Sequence, residues 1–255
     1  MRILCIGDIV GVRAIEYLKK NLWKLRDSKK IDYVIANGEN ASEIHGVGAK
    51  DAQAILDSGV DFITLGNHTW NKRDIYQFLD ANGECIIRPA NYPGSAPGYG
   101  YAIVDIQGYR TLIINVLGQA FMDPVGDPFD AVEYVLAREE GNFDLSILDV
   151  HAEATSEKYA IARVFDGKID IIFGTHTHVP TADTQILPSG TAYVTDLGMT
   201  GPRNGVLGVD TERTLTKMRM HMPAQFVVAD GEISADAIIV ETDGAKVKSI
   251  ERIVF

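Results

Sequence analysis

Cysteine is scarce in this chain, with two residues in 255. Cys5 and Cys85 form no CxxC pair and no disulfide framework, which excludes a thiolate metal site and a disulfide-stapled fold and leaves two packing thiols. Long apolar runs are missing too: nothing approaches membrane-spanning length. Met1–Gly7 passes straight into a strand without a basic leader or a small-residue cleavage site, so the expected compartment is the cytoplasm. Clustered Lys and Arg are also lacking. A formal charge of −11 and a pI near 5.0 argue against a duplex-DNA partner, whose binding needs concentrated basic charge. Repeats, low-complexity tracts and linkers are absent. The 46% hydrophobic and 23% charged residues suit one globular unit, and 1–255 reads as a single domain with ample core.

What the chain does contain is a pattern repeated five times. A run of aliphatic and β-branched residues ends, and a metal-ligand type of residue follows at once: Arg2–Ile6 before Gly7-Asp8, Tyr33–Ala36 before Glu39-Asn40, Phe62–Leu65 before Gly66-Asn67-His68, Leu145–Val150 before His151, and Ile169–Phe173 before Gly174-Thr175-His176-Thr177-His178. Buried strands would thus deliver carboxylates, carboxamides and imidazoles to their carboxyl ends, where open α/β folds keep their sites. A lone His is more often a hydrogen-bonded surface residue than a ligand. Here four of six His (His68, His151, His176, His178) lie just past strands, while His45 and His221 do not; the cluster points to a two-metal centre.

Coarse patterning supports that placement. Strands over 2–7, 32–37 and 61–65 alternate with helices near 12–26, 48–57 and 72–80, a βαβ arrangement over a largely parallel sheet. Pro89, Pro93, Pro97 and the glycines up to Gly108 mark an extended loop, and strands 101–106 and 111–116 joined at Gln107-Gly108 begin a second layer. Helix 128–140, strand 144–150, helix 156–165 and strand 169–173 follow. From Asp183 onward an antiparallel half is expected, with closing strands at 224–228, 235–240 and 250–255.

Ligand hardness narrows the chemistry. Asp8 and Glu39 are hard anionic oxygens, Asn40 and Asn67 neutral carbonyl oxygens, and His151, His176 and His178 borderline nitrogens, a set that suits Mn, Fe or Zn better than Ca or Mg. Seven groups suffice for two ions, with a carboxylate able to bridge. Such a pair clamps the attacking and leaving oxygens of a phosphoryl displacement, with a bridging hydroxide as nucleophile. His176 and His178, two residues apart, would leave an extended segment on one face and each meet one ion.

Asp8 in Gly-Asp-Ile-Val-Gly, Asn67-His68, the distant His151 and Gly174-Thr175-His176-Thr177-His178 resemble the calcineurin-type metallophosphoesterase signature in its usual order. Asn37-Gly38-Glu39-Asn40, Arg88-Pro89-Ala90-Asn91-Tyr92-Pro93, Thr155-Ser156-Glu157-Lys158 and Thr195-Asp196-Leu197-Gly198-Met199 extend the resemblance to the YmdB-like subgroup over almost the whole chain. Two positions depart from the wider superfamily: Val10 stands where a His is usual two residues after the first Asp, and Glu39 with Asn40 replaces the usual Asp. Gly11-Val12-Arg13 lacks the Pro often found there. The resemblance implies a four-layer α-β-β-α sandwich of two mixed sheets. It also implies two metals, one held by Asp8, Glu39, Asn40 and His178, the other by Glu39, Asn67, His151 and His176, with Glu39 bridging. His68 becomes the proton donor to the leaving oxygen; its alternative is a hydrogen bond that orients Asn67.

The activity implied is metal-dependent phosphodiester hydrolysis, of 2′,3′-cyclic nucleotides and by extension 3′,5′-cyclic ones, and the resemblance further implies a homo-oligomer. A phosphomonoesterase or nucleotidase, and a metal-containing regulator that binds a phosphorylated ligand without turnover, are the competing readings. Arg88 and Asn91 are candidates to reach a phosphate or base, against a role within their own Pro-rich loop. Thr155 and Ser156 are candidates to touch substrate, against a helix start in which either caps.

Overall fold

The computed structural model describes all residues from Met1 to Phe255. Two mixed β-sheets carry the chain. The first contains β1 (Arg2–Ile6), β2 (Asp8–Ile9), β3 (Tyr33–Asn37), β4 (Phe62–Thr64), β5 (Ile86–Ile87), β12 (Met199–Pro202), β13 (Ile233–Asp243) and β14 (Lys246–Val254). Its order is β2-β12-β13-β1-β3-β4-β5, with β14 also paired to β13. The second contains β6 (Tyr101–Ile106), β7 (Tyr109–Leu117), β8 (Leu145–His151), β9 (Ile171–Thr175), β10 (Gln185–Ile186) and β11 (Ala192–Val194), in the order β10-β11-β9-β8-β7-β6.

Side-chain alternation turns these sheets into layers. In β1, Ile3 and Cys5 face one way and Leu4 and Ile6 the other, as period-2 geometry requires. Ile3, Cys5, Ile35 and Phe62 pack against Ile113, Ile147, Ile171 and Phe173 of the second sheet, forming the core between the sheets. Leu4, Ile6 and Val34 pack outward against Ala14, Leu18 and Leu22 of α1 (Val12–Lys29) and Ile55 of α2 (Ala49–Asp57). On the far side, Leu112, Ile114, Leu148 and Val150 meet Val132 and Val135 of α4 (Pro128–Arg138) and Ile161 and Phe165 of α5 (Thr155–Phe165). A third helix, α3 (Ile75–Ala81), adds Ile75 and Leu79 to the first outer core. The order helix, sheet, sheet, helix is the expected four-layer α/β sandwich. No helix is long and apolar enough to cross a membrane.

The 101–106/111–116 hairpin is present, and its two-residue turn takes positive φ at both Gln107 (53°) and Gly108 (86°), the twist that matches paired strands. The chain after Asp183 departs from expectation. It is not purely antiparallel: β11 runs parallel to β9, and β12 parallel to β2. Ala224–Val228 is not a strand; only Val228 pairs, as an isolated bridge to Val209. A helix not anticipated, α6 (Thr211–Met220), fills this region. Its sequence TERTLTKMRM has too few apolar residues to show a stripe, and only Thr214 is buried. Asp210 starts it by accepting from the Arg213 N–H, an ordinary N-cap.

Candidate metal centre

The candidate ligands arrive from both sheets. β2 brings Asp8, the turns after β3 and β4 bring Glu39-Asn40 and Asn67-His68, β8 ends on His151, and the segment after β9 carries His176 and His178. Glycine permits the crowding. A Cβ at Gly66 would strike Glu39 and His151, and one at Gly174 would strike the Thr195 carbonyl and the Lys158 side chain, so these strand ends approach only where a side chain is missing.

Glu39 sits at the middle of the cluster, 1% exposed. Its Oε1 is 3.1 Å from His151 Nε2 and accepts from Asn40 Nδ2 at 3.1 Å, and its Oε2 accepts the His68 backbone N–H at 2.9 Å. On one side, His151 Nε2 lies 3.0 Å from Asn67 Oδ1 and 3.1 Å from His176 Nδ1. On the other, His178 Nε2 lies 3.3 Å from Asn40 Nδ2 and 3.7 Å from Asp8 Oδ1. Glu39, His151 and His176 each offer a ligand atom within 4.8 Å of the others. The structure therefore brings together Asp8, Glu39, Asn40, Asn67, His151, His176, His178 and His68.

Each imidazole in the trio has its outer nitrogen committed. His151 Nδ1 meets Thr175 Oγ1 at 2.9 Å, and that hydroxyl donates to Asp149 at 2.7 Å, so the His151 nitrogen is the donor. His176 Nε2 faces Glu153 at 3.0 Å. His178 Nδ1 faces the Leu207 carbonyl at 3.0 Å. An oxygen acceptor beyond each ring fixes its tautomer and turns the other nitrogen's lone pair inward. The consequence is that His151 Nε2 and His176 Nδ1 point lone pairs at one another across 3.1 Å, a contact that a proton or a cation between them must relieve. Asp8 Oδ1 and Asn40 Oδ1 are buried with no hydrogen-bond partner, and orphaned oxygens beside such nitrogens fit a cation as well. The donor set therefore suits a bound metal.

Electrostatics describe the protonated alternative. Burial opposes charge on His151, but the carboxylate of Glu39 beside it dominates and pushes its pKa up to about 9. Burial likewise opposes ionisation of Glu39, and the facing His151 charge overcomes it, holding that carboxyl well below its ordinary range. His176 is driven down to about 3 by burial and by the neighbouring His151 charge. Asp8 is raised to about 6, mainly by burial. A metal ion held by His151 would have to displace the proton on that imidazole. Since that proton is held below a pH of about 9, calorimetric titration near neutral pH in buffers of different ionisation enthalpy should show about one proton released per chain, and apparent affinity should climb with pH until about 9. Release of no proton would remove His151 from the ligand set.

His68 stands at the edge of the cluster. Asn67 Nδ2 and Asn71 Nδ2 each lie 3.4 Å from one of its ring nitrogens, and the His45 ring lies tilted against it with centroids 4.2 Å apart. Burial lowers its pKa, with Glu39 opposing.

The remaining candidates lie elsewhere. Arg88 is buried and spends its guanidinium on the carbonyls of Pro89, Pro93 and Pro97, because a proline-rich loop has carbonyls to satisfy and few N–H groups. Asn91 donates to Leu117 and Gly126 and accepts from Leu117. Both brace the loop beside a separate hollow that also touches α4. Thr155 and Ser156 begin α5, but neither caps it: the N-cap is Ala154 without a side-chain bond, and both hydroxyl residues are exposed. Behind the cluster lie Asp149, which sequence reasoning missed, and Lys158 and Asp196, which it met only as members of the Thr155–Lys158 and Thr195–Met199 motifs. Asp149 accepts from Thr64, Asn37 and Thr175 and so ties the two sheets beneath His151. Lys158 and Asp196, both buried, form an ion pair at 2.6 Å under the His176–His178 segment.

A double sheet sandwich with acids, amides and imidazoles gathered at its strand ends is a fold of the calcineurin-like metallophosphoesterase type. The chain belongs to the YmdB-like protein family, whose model matches residues 4–253. A 2′,3′-cyclic-nucleotide 2′-phosphodiesterase of Bacillus subtilis (strain 168) is 41% identical over 251 residues, covering 98% of this chain and 95% of that protein. Two crystal structures superpose with a TM-score of 0.94: a hypothetical protein from Thermus thermophilus (38% identity, covering 100% of this chain and 99% of that one) and a novel phosphatase from Mycoplasma pneumoniae (32% identity, 100% and 93%).

Proposed function

We propose that this chain, a phosphoric ester hydrolase, is a metal-dependent phosphodiesterase that opens 2′,3′-cyclic nucleotides. The observation that carries this reading is the inward aim of three imidazoles at a buried carboxylate and two unpartnered oxygens. The name of the Bacillus subtilis relative supports the substrate class. Asp8, Glu39, Asn40 and His178 would hold one divalent ion, and Glu39, Asn67, His151 and His176 a second, with Fe or Mn the best match to the donors and Zn next. Bound there, such ions supply Lewis acidity toward phosphoryl oxygens and acidify water for attack on phosphorus.

The protein's own groups do the rest. Asp8 and Glu39 set the charge of the centre, Thr175, Glu153 and the Leu207 carbonyl orient its imidazoles, and the fixed donor positions reduce reorganisation as charge develops. In the overall reaction water adds to the cyclic phosphodiester, one P–O bond to the ribose breaks, and the departing ribose oxygen takes a proton. His68 lines the same pocket as His176 and His178 and can hold that proton on a ring nitrogen. No extensive basic surface is needed for a small anionic substrate, because cations held there would neutralise it locally.

Hydrolysis of 2′,3′-cyclic AMP by metal-reconstituted protein, beside His68→Ala with bound metal quantified in both, tests the reading. The wild type should turn over with two metals bound. His68→Ala should keep its metals and lose about 10²- to 10⁴-fold in kcat, the usual worth of a positioned proton donor. A metal-loaded wild type that leaves the cyclic diester intact but cleaves a simple phosphomonoester would replace this reading with a nucleotidase.

A further inference from the structure

The pocket over the cluster has two chemically different kinds of lining. Its cavity of about 400 Å3 is bounded by the polar Glu39, Asn40, His68, His176 and His178 and by the apolar Ile44, Val179, Leu207, Val209 and Phe226. A phosphate group alone gives no use to an apolar lining, whereas ligand pockets pair apolar surface with a few convergent polar groups when the ligand has both. The apolar lining comes largely from one excursion between β12 and β13, which supplies Leu207, Val209 and Phe226. That excursion is anchored to the cluster, since the Leu207 carbonyl accepts from His178.

A second hollow adjoins the first and shares Ile44, His45 and Phe226 with it; Asn71, Lys72 and Gln225 are among its other bounds. His45 and Phe226 each border both hollows. Each ring has its own neighbour: the exposed His45 ring lies tilted against His68 with centroids 4.2 Å apart, and Lys217 Nζ sits 4.6 Å from the Phe226 ring centre. Stacking on such rings is favourable for any base and strongest for a large one.

We infer that His45 and Phe226, the rings common to both hollows, form a nucleobase-binding shelf, on which the base stacks while the ribose lies over His68 and the phosphate reaches the cluster. This assignment rests on the nucleotide reading of the site and goes beyond it by naming what selects a nucleotide over a bare phosphodiester. The carboxamides of Asn71 and Gln225 border the second hollow, and each can donate and accept, so base identity is read weakly and size more strongly. Purine cyclic nucleotides are therefore bound more tightly than pyrimidine ones.

Phe226→Ala is the variant of choice, because His45 touches His68 and its loss would disturb proton transfer as well. Steady-state kinetics on metal-loaded protein should show KM for 2′,3′-cyclic AMP rising by about five- to a hundredfold, the range for loss of one base–aromatic stack, with kcat nearly unchanged. KM for the 2′,3′-cyclic phosphate of methyl riboside, which has no base, should stay at the wild-type value, and Phe226→Tyr should restore nucleotide binding. An equal KM rise for the baseless substrate, or none for cyclic AMP, overturns the shelf. Calorimetric binding of 3′-AMP against ribose 3-phosphate separates the two layers of the argument. If the wild type cleaves neither diester yet prefers 3′-AMP, and Phe226→Ala erases that preference, the shelf stands and the phosphodiesterase reading falls. Equal binding of the two phosphates by the wild type sinks the shelf alone.

Discussion

Glu39→Gln is expected to leave a folded protein that retains less than one metal per chain and turns over a cyclic diester on the order of a thousandfold more slowly, about 4 kcal/mol of lost transition-state stabilisation. The substitution preserves size and one carbonyl oxygen while removing the charge at the middle of the cluster. Glu39 faces His151 and Asn40 with one oxygen and the His68 N–H with the other, so no neighbouring carboxylate can take its place. Metal content by elemental analysis, beside a circular dichroism spectrum matching the wild type, checks the first half; initial rates check the second. A Glu39→Gln protein carrying two metals would move the carboxylate out of the ligand set.

The same variant has a signature without metal. Glu39 is depressed below its usual 4.5, so its contribution to stability is present above that pH and is lost as pH falls through the folded value. His151 is raised from 6.5 to about 9, so its contribution is complete below 6.5 and is lost as pH rises through about 9. Both are fully present between these two ordinary values. The fall in Tm of metal-free Glu39→Gln relative to metal-free wild type should therefore be greatest between pH 4.5 and 6.5 and shrink toward pH 9. A Tm difference that grows with pH would mean that the carboxylate and the imidazole do not support one another.

The centre could be read in the chain because each of its groups follows a strand that announces itself. Asp8, Glu39, Asn67, His151 and His176 stand within three residues of runs such as Phe62-Ile63-Thr64-Leu65 or Ile171-Ile172-Phe173, and topology alone carries strand ends to one place. The four layers were expected from the family resemblance, and the near-complete burial of β1 and β8 agrees with the double-sided packing they require. What could not be read depends on segments with no period. Thr175, Glu153 and the Leu207 carbonyl act on the imidazoles from the end of β9 and from two separate loops, and a carbonyl carries no residue signature at all. Arg88 and Asn91 have the residue types that phosphate recognition favours, but their loop consumes both. His45 and Phe226 border the same two hollows from segments 181 positions apart that lack regular structure, and α6 lies in the same excursion as Phe226 with too little apolar surface to declare itself.

Replacing either member of the Lys158–Asp196 pair should cost about 3–5 kcal/mol of stability for Lys158→Met or Asp196→Asn, because each leaves the other charge or its hydrogen bonds buried without compensation. The pair does more than neutralise itself. Lys158 Nζ also donates to the Thr175 carbonyl at 2.7 Å, and Asp196 accepts the backbone N–H of Thr177 at 3.2 Å and of Gly198 at 2.9 Å. Between and beyond Thr175 and Thr177 stand His176 and His178, with φ of 97° and 62°, conformations that cost a non-glycine residue about 1–3 kcal/mol each. A buried clamp on the peptide groups at both ends of His176 is the means by which this segment is held against that strain. Chemical denaturation should give the two single variants similar midpoints, and the double variant Lys158→Met/Asp196→Asn a loss well short of their sum, since the second change removes a group already stranded by the first. Metal affinity should fall by about 10- to 100-fold in each variant, as for other residues that orient ligands without touching the ion. Additive stability losses with metal affinity intact would make the pair an independent feature of the core, without a part in holding the His176–His178 segment.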